Sequence, residues 1–424
     1  MNARESTKQS TTELDRQAEQ VMRLNDKGGY TVPTEGLYPY QWNWDSAFAA
    51  FGFAQFDVGR GWKELETLFS GQWKNGMVPH ILFHTEDDRY FPGPEVWQGT
   101  GPVRSSGITQ PPVAATMARF IFEIDPEAGR EPMERLFDAM VRWHAWFMKW
   151  RLDDNAVCTA HPWETGRDNA PDWDGAMAQI DPVDVGSYTR RDLGHVDSAM
   201  RPRPYDYDRY IWLLKHGRSF AWDDSALLEN TRFRVADPTM TFTLLRAQRD
   251  LVALGQALGR DVSALQADIE LLEAGAQTLW NPAIKGFDSR DVLTGKWAGS
   301  LSNASFLAWY AGLDNPELLE SYRRVMSLVA YGVPSFDPAD ARFDAKRYWR
   351  GPTWGMMNML IGTGLTEMGH ADGETLRALT SELIQAHGFS EYFDPTDGTP
   401  AGGKSFTWTA AIWLGWASPD RSAI

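Results

Sequence analysis

From Asp237 to Gly259 the chain reads DPTMTFTLLRAQRDLVALGQALG. Asp237 suits a helix N-cap, and Pro238 suits the first turn, where its missing N–H has no helical partner to lose. Leu244, Leu245, Leu251, Leu254 and Leu258 then recur near helical spacing until Gly259 stops the run. The same grammar repeats along the chain. Leu265, Ile269, Leu272, Ala276 and Leu279 follow at steps of three and four. Asn315-Pro316 opens a helix expected to end near Gly332, and 131–152 carries Leu136, Phe137, Met140, Val141, Trp143, Phe147 and Trp150. Further helices are expected near 11–27, 44–56, 58–75, 111–124, 204–219, 300–312, 352–369, 373–387 and 405–416.

Between these helices lie longer loops rich in Gly, Pro, Asp and aromatics, at roughly 76–110, 153–203, 281–299, 333–351 and 388–404. No Pro- or Ser-rich linker divides the chain, and no fixed-period repeat is visible, which weighs against an α-solenoid. The expected fold is all-α: one toroid of paired helices, an (α/α)6 barrel with six hairpins, whose long loops build a site at one end. A single catalytic domain over residues 1–424 is expected, with 1–10 as a flexible N-terminal tail.

Composition narrows the function. The net charge of −16 disfavours nucleic acid and anionic membrane as partners. The one cysteine, Cys158, leaves no intrachain disulfide and no thiolate metal site. The N-terminus MNARESTKQSTTELDRQ lacks a signal-peptide core, and no apolar run is long enough to span a bilayer, so a cytoplasmic protein is expected. Eight His show no H-E-x-x-H spacing, and the Asp172-Asp174-Gly175 cluster lacks the rest of a calcium loop. Neither a P-loop nor a dinucleotide fingerprint occurs, so no metal and no cofactor is expected. Aromatic-rich helix faces allow a homo-oligomer.

Two distant segments carry the chemistry. HPWETGRDNAPDWD spans 161–174, and GFSEYFDPTDGTPAGGKSFTWTAA spans 388–411. Each sets a carboxylate among aromatics, glycines and polar groups. Two carboxylates facing one pocket are the minimum for cleaving a glycosidic bond. The 20 Trp, 13 Tyr and 21 Phe suit such a pocket, because an indole offers a flat apolar face and one N–H to a sugar ring. Trp recurs beside Asp, Asn, Arg and Gly, as in QWNWDSAF and RYWRGPTWG, which core filling alone does not explain.

Four segments together resemble the clan of inverting glycosidases built on (α/α)6 barrels, which includes trehalases and glycoside hydrolase family 63. They are YPYQWNWDSAF at 38–48, WETGRDNAP at 163–171, YWRGPTWGMMN at 348–358 and SEYFDPTDGTPAGGKSFTWTA at 390–410. The length resembles the small bacterial members that hydrolyse mannosylglycerate or glucosylglycerate. The resemblance implies Asp168 as general acid, its pKa raised by burial or by a neighbour among Glu164, Asp172 and Asp174. Glu164 is a rival for that role, or a structural or sugar-hydroxyl contact. Glu391 is the implied general base, activating water from the opposite face of the sugar. An inverting pair stands about 6.5–9.5 Å apart to admit that water. Asp394 and Asp397 read as turn residues instead.

The resemblance also implies a glycone subsite of Tyr38, Trp42, Trp44 and Asp45, with Trp163, Trp349, Trp354 and Trp408 as further walls. Asp45 would accept hydrogen bonds from two sugar hydroxyls; its alternative role is N-cap of 46–56, and the two are compatible. Arg350 either lines the site or holds a carboxylate in a bidentate pair. A glycerate aglycone needs a carboxylate receptor, for which Arg201 is the choice over Arg203 and Arg209. Tyr90, Gln110, Tyr207 and Tyr348 complete that subsite, and His80 either touches substrate or fills core. The alternatives are a neutral α-glucoside such as trehalose as substrate, a sugar epimerase or isomerase, which the few His disfavour, and a non-catalytic sugar-binding protein.

Overall fold

The computed structural model describes residues 11–191 and 197–421; the expected tail at 1–10 lies outside the described residues. The described chain is helix-rich. Asp237 accepts the Met240 N–H at 3.0 Å and opens Pro238–Ala257, while Asn315 accepts from Glu317 and Leu318 and opens Pro316–Met326. The latter stops short of Gly332 because the Ala330 and Tyr331 N–H groups turn to the Pro395 carbonyl. The helix read at 131–152 begins earlier, at Pro126, since Asp125 caps it through the Ala128 N–H. The helix read at 300–312 shrinks to Leu307–Tyr310, because residues before it close short turns such as Phe306 N–H to Asn303 carbonyl. Asp45 is not an N-cap: Asn43–Ala54 begins before it, and Asp45 lies in its first turn.

The helices come in sequential pairs. Asn43–Ala54 is buried along its whole length and packs on the amphipathic Val58–Ser70. Pro238–Ala257 pairs with Ser263–Gln277, and Gly355–Glu367 with Asp372–His387; in each pair the first member is the more buried. Ala114–Ile124 pairs likewise with Pro126–Trp150. The buried members also touch in a circuit: Asn43–Ala54, Ala114–Ile124, Pro238–Ala257, Leu307–Tyr310, Gly355–Glu367, Thr407–Ile412, and back to Asn43–Ala54. A single apolar core runs through this circuit, including Phe48, Phe51, Leu245, Trp309, Leu360 and Trp413.

Short antiparallel strands fix the connecting loops. A four-stranded sheet joins Leu152–Asp153, Ala156–Thr159, Val235–Ala236 and Arg290–Asp291, with Cys158 opposite Ala236. It places the residues leading into the 161–174 segment beside Asp237. Gln41–Trp42 pairs with Ile81–Leu82, and Tyr392–Phe393 with Pro400–Ala401. Among the described residues no helix is long and apolar enough to cross a membrane.

Candidate active site

The first carboxylate segment is held by its own backbone and by distant partners. The His161 ring accepts the Trp163 N–H at 3.0 Å and caps the short turn Pro162–Thr165. Gly166 follows in the left-handed region with φ 69°, and a Cβ there would sit 2.3 Å from the Trp44 ring. Only glycine fits both demands. Arg167 then turns inward and is fully buried. Its guanidinium reaches Asp172, Asp237, Thr239 and Ser302 at 2.8–3.3 Å. Asp168 stands next to this anchor, partly exposed, with its carbonyl accepting the Tyr210 hydroxyl at 2.8 Å. Beyond it, Asn169 accepts the Trp349 N–H at 2.8 Å.

The second segment forms a hairpin. Helix Asp372–His387 ends at Gly388, and Glu391 enters two short strands through reciprocal bonds with Gly403. The Glu391 N–H donates to the Gly403 carbonyl at 2.8 Å, and the Gly403 N–H donates to Glu391 Oε2 at 2.7 Å. The Tyr38 hydroxyl donates to Oε1 at 3.1 Å, and Arg201 Nη2 lies 3.6 Å from Oε2. Asp394 and Asp397 close the turn as read from the sequence, accepting from Thr396 and Thr399.

Both segments open onto one cavity. Asp168 and Glu391 line it with Tyr38, Trp42, Trp44, Asp45 and Trp408, as well as His80, Tyr90, Gln110, Trp163, Arg201, Tyr207 and Tyr348. Pro33, Phe91, Gly166, Pro202 and Phe406 line it too and were not read from the sequence. Four of these five adjoin named residues or lie in a quoted motif, so proximity was a usable signal. Pro33 carried none. Gln110 has a second duty: its side-chain oxygen accepts the Trp44 N–H at 3.2 Å, fixing the start of Asn43–Ala54.

Three expected residues do not face the cavity. Trp349 and Trp354 stack on each other at 3.9 Å and 4° behind its wall, with Trp349 against Trp44 and Trp354 against Tyr348 and Trp408. Arg350 points outward and holds Asp174 in a bidentate pair at 2.7 and 2.9 Å. It lines a separate cleft with Arg203 and Arg209, the sequence-level rivals of Arg201. The neighbours proposed for Asp168 are also engaged elsewhere. Glu164 is buried and takes bonds from Arg151 and the Ala160 N–H at 2.7 Å, and Asp172 is bound to Arg167. The cavity carboxylates are therefore Asp45, Asp168 and Glu391.

Burial shapes their chemistry. It pushes the Asp45 carboxyl well above the ordinary carboxylate range, and the charges of Glu391 and Asp168 add to the effect. Glu391 is also raised by burial, against the opposing pull of Arg201, the Gly403 N–H and the Tyr38 and Tyr348 hydroxyls. Burial and the nearby His161 hold His80 well below the ordinary imidazole value, and burial takes His161 down to about 3. Both imidazoles are therefore neutral hydrogen-bonding groups near pH 7. Among the described residues no group of His, Cys, Asp and Glu is arranged to hold a metal ion.

Residues 38–409 match the model of the mannosylglycerate hydrolase MGH1-like glycoside hydrolase domain. That span contains every cavity residue named above except Pro33. The chain belongs to this glycoside hydrolase family. It is 41% identical over 408 residues to mannosylglycerate hydrolase MGH1 of Selaginella moellendorffii, covering 93% of this chain and 84% of the relative. It is 35% identical over 437 residues to the glucosylglycerate hydrolase of Mycolicibacterium hassiacum, covering 96% and 98%. The crystal structure of the GH63 mannosylglycerate hydrolase from Thermus thermophilus in complex with Tris and D-glycerate superposes with a TM-score of 0.91 at 39% identity, covering 95% of this chain and 99% of that one. This glycoside hydrolase thus shares its helix-rich fold with a GH63 enzyme that holds D-glycerate.

Proposed function

We propose that the chain is an inverting α-glycosidase that hydrolyses 2-O-α-mannosylglycerate, 2-O-α-glucosylglycerate, or both, to free hexose and glycerate. One observation carries the reading: a buried arginine, Arg201, lines the same cavity as two carboxylates from segments far apart in the chain. Asp168 donates its proton to the glycosidic oxygen as the C1–O bond breaks. Glu391 takes a proton from a water whose oxygen attacks C1 from the opposite face. Asp45 accepts hydrogen bonds from sugar hydroxyls, and Tyr38, Trp42, Trp44 and Trp408 enclose the ring. Arg201, Tyr90, Gln110, Tyr207, Tyr348 and His80 receive the glycerate. The relatives named for mannosylglycerate and glucosylglycerate hydrolysis support this substrate class.

We further propose that the paired helices form a single six-hairpin (α/α)6 barrel acting as one catalytic domain. The closed circuit of buried helices supports it, each packed on an outer neighbour or on its connecting loops.

The test is stereochemical. Early in hydrolysis of either glycerate glycoside, proton NMR should show the β-hexose first, followed by mutarotation. Release of the α-anomer would exclude single displacement. Cleavage of trehalose with no cleavage of glycerate glycosides would keep the carboxylates and remove the receptor role of Arg201.

Gly402 provides a second check. It sits in the left-handed region with φ 71°, and a Cβ there would lie 2.3 Å from Glu391 Oε2. Gly402→Ala should therefore lower kcat about 100-fold by displacing the base, with KM little changed. Wild-type kcat in a folded G402A protein would show that the hairpin tolerates the methyl and that the Glu391 position is not critical.

A further inference from the structure

The Arg201 guanidinium stands between the Tyr38 hydroxyl and the Glu391 carboxylate. It is nearly inaccessible to solvent, and Nη1 donates to the Tyr38 hydroxyl at 2.8 Å. Nη2 faces Glu391 Oε2 at 3.6 Å, which is an ion-pair distance but too long for a good hydrogen bond. Nε and Nη2 have no hydrogen-bond partner among the described residues. The same guanidinium packs over the Tyr348 ring at 4.7 Å, so the aromatic wall limits its movement. A planar fork with two free donors matches a carboxylate bidentately, and such a contact is stronger than an offset 3.6 Å pair.

We propose that Arg201 ties the basicity of Glu391 to the charge of the aglycone: its guanidinium steadies the Glu391 carboxylate in the free enzyme, and a substrate carboxylate seated on the same guanidinium removes that hold. The inference rests on the glycerate-glycoside reading above. Its consequence is specificity at the chemical step. An anionic aglycone strengthens the base that must take the proton from water, whereas a neutral aglycone leaves the base weakened. Binding and catalysis then select for the same charge.

The groups facing Glu391 make the sign clear. Tyr38 and Tyr348 reach it from one side, Tyr392 adjoins it in sequence, and Asp45 acts on it across the cavity. Burial raises all three tyrosines, so they stay neutral across the working range. Arg201 is the cation that opposes the effect of burial on Glu391. Compensating that cation raises the Glu391 pKa, and a general base with a raised pKa moves the acid limb of the rate profile upward.

The experiment combines kinetics with calorimetry. With a glycerate glycoside, the acid limb of kcat should lie about one pH unit above that of kcat/KM, because the first reports the complex and the second the free enzyme. With 2-O-α-glucosylglycerol, in which CH2OH replaces the carboxylate, the two limbs should coincide. D-glycerate binding, measured in buffers of different ionisation enthalpy, should take up a fraction of a proton. Glu391→Gln should bind D-glycerate without that uptake, and Arg201→Gln should bind it about tenfold or more weakly, as expected when a bidentate charge pair is lost. Binding without proton uptake would overturn the inference, as would uptake that persists in E391Q, since Asp45 or Asp168 would then be responsible. If D-glycerate does not bind and no glycerate glycoside is cleaved, the substrate reading itself fails, which is a different and recognisable result.

Discussion

Asp168→Asn and Glu391→Gln should each lower kcat on a glycerate glycoside by about 10³- to 10⁴-fold, near the upper end of what general acid–base catalysis supplies. KM should stay within severalfold, since Trp42, Trp44, Asp45 and Trp408 also line the cavity and would still enclose a sugar there. A glycosyl fluoride separates the roles. Fluoride departs without protonation, so D168N should recover most of its rate on the α-fluoride. E391Q should remain slow on both substrates, because water still needs a base. Equal losses for D168N on fluoride and glycoside would remove Asp168 from the acid role.

The Gln variant also tests how Glu391 is held. Glu391 accepts one bond at each oxygen, from Tyr38 and from the Gly403 N–H. A Gln carbonyl can still accept from Gly403. Its NH2 would then meet the Tyr38 oxygen, which already accepts from Arg201. Tyr38 can turn its own proton toward Tyr348, whose hydroxyl is 3.3 Å away. E391Q should therefore fold normally, and its lost activity reports chemistry.

Much of this site was legible because each motif combines a chemical group with its local geometry. Gly166 and Gly402 mark where backbone or side chains pass close to Trp44 and Glu391, and both lie inside the quoted segments. Asp237 was legible as a helix cap because capping depends on the next three residues. Its second partner, Arg167, lies 70 residues away, a distance that no local pattern spans. Strands of two to four residues are too short for alternation to show. The misplaced wall residues have a similar cause. Tyr348 takes φ 46°, a left-handed backbone unusual for an aromatic, so the chain turns there and spacing no longer tells which side chain faces inward. Tyr348 lines the cavity, while Trp349 and Trp354 stack behind it. Aromatic content marked the right segment and not the right face.

Arg167→Met should destabilise the protein by about 3–5 kcal/mol in urea unfolding, since it leaves buried carboxylates without their cation. Asp172 and Asp237 both bond to the Arg167 guanidinium, and the Ser289 hydroxyl lies 3.2–3.3 Å from both carboxylates with one proton to share between them. Even in the wild type the Asp237 carboxyl is raised by burial and by Asp172, against the pull of Arg167. Without Arg167 only the Met240 N–H and the Ser289 hydroxyl oppose these two effects on Asp237. Asp237 then binds its proton more tightly in the folded than in the unfolded state, so folded stability falls as pH rises through its folded pKa. The deficit of R167M relative to wild type should accordingly shrink as the pH is lowered from neutral toward the ordinary carboxylate range. Arg350→Gln is the contrasting case. Its pair with Asp174 is partly open to solvent, so the loss should stay below about 1 kcal/mol and depend little on pH. Near wild-type stability for R167M at neutral pH would mean that the two aspartates share a proton or find other donors. Asp168 would then be held by its backbone bond to Tyr210 and by the Asn169 contacts, and not by the charge buried beside it.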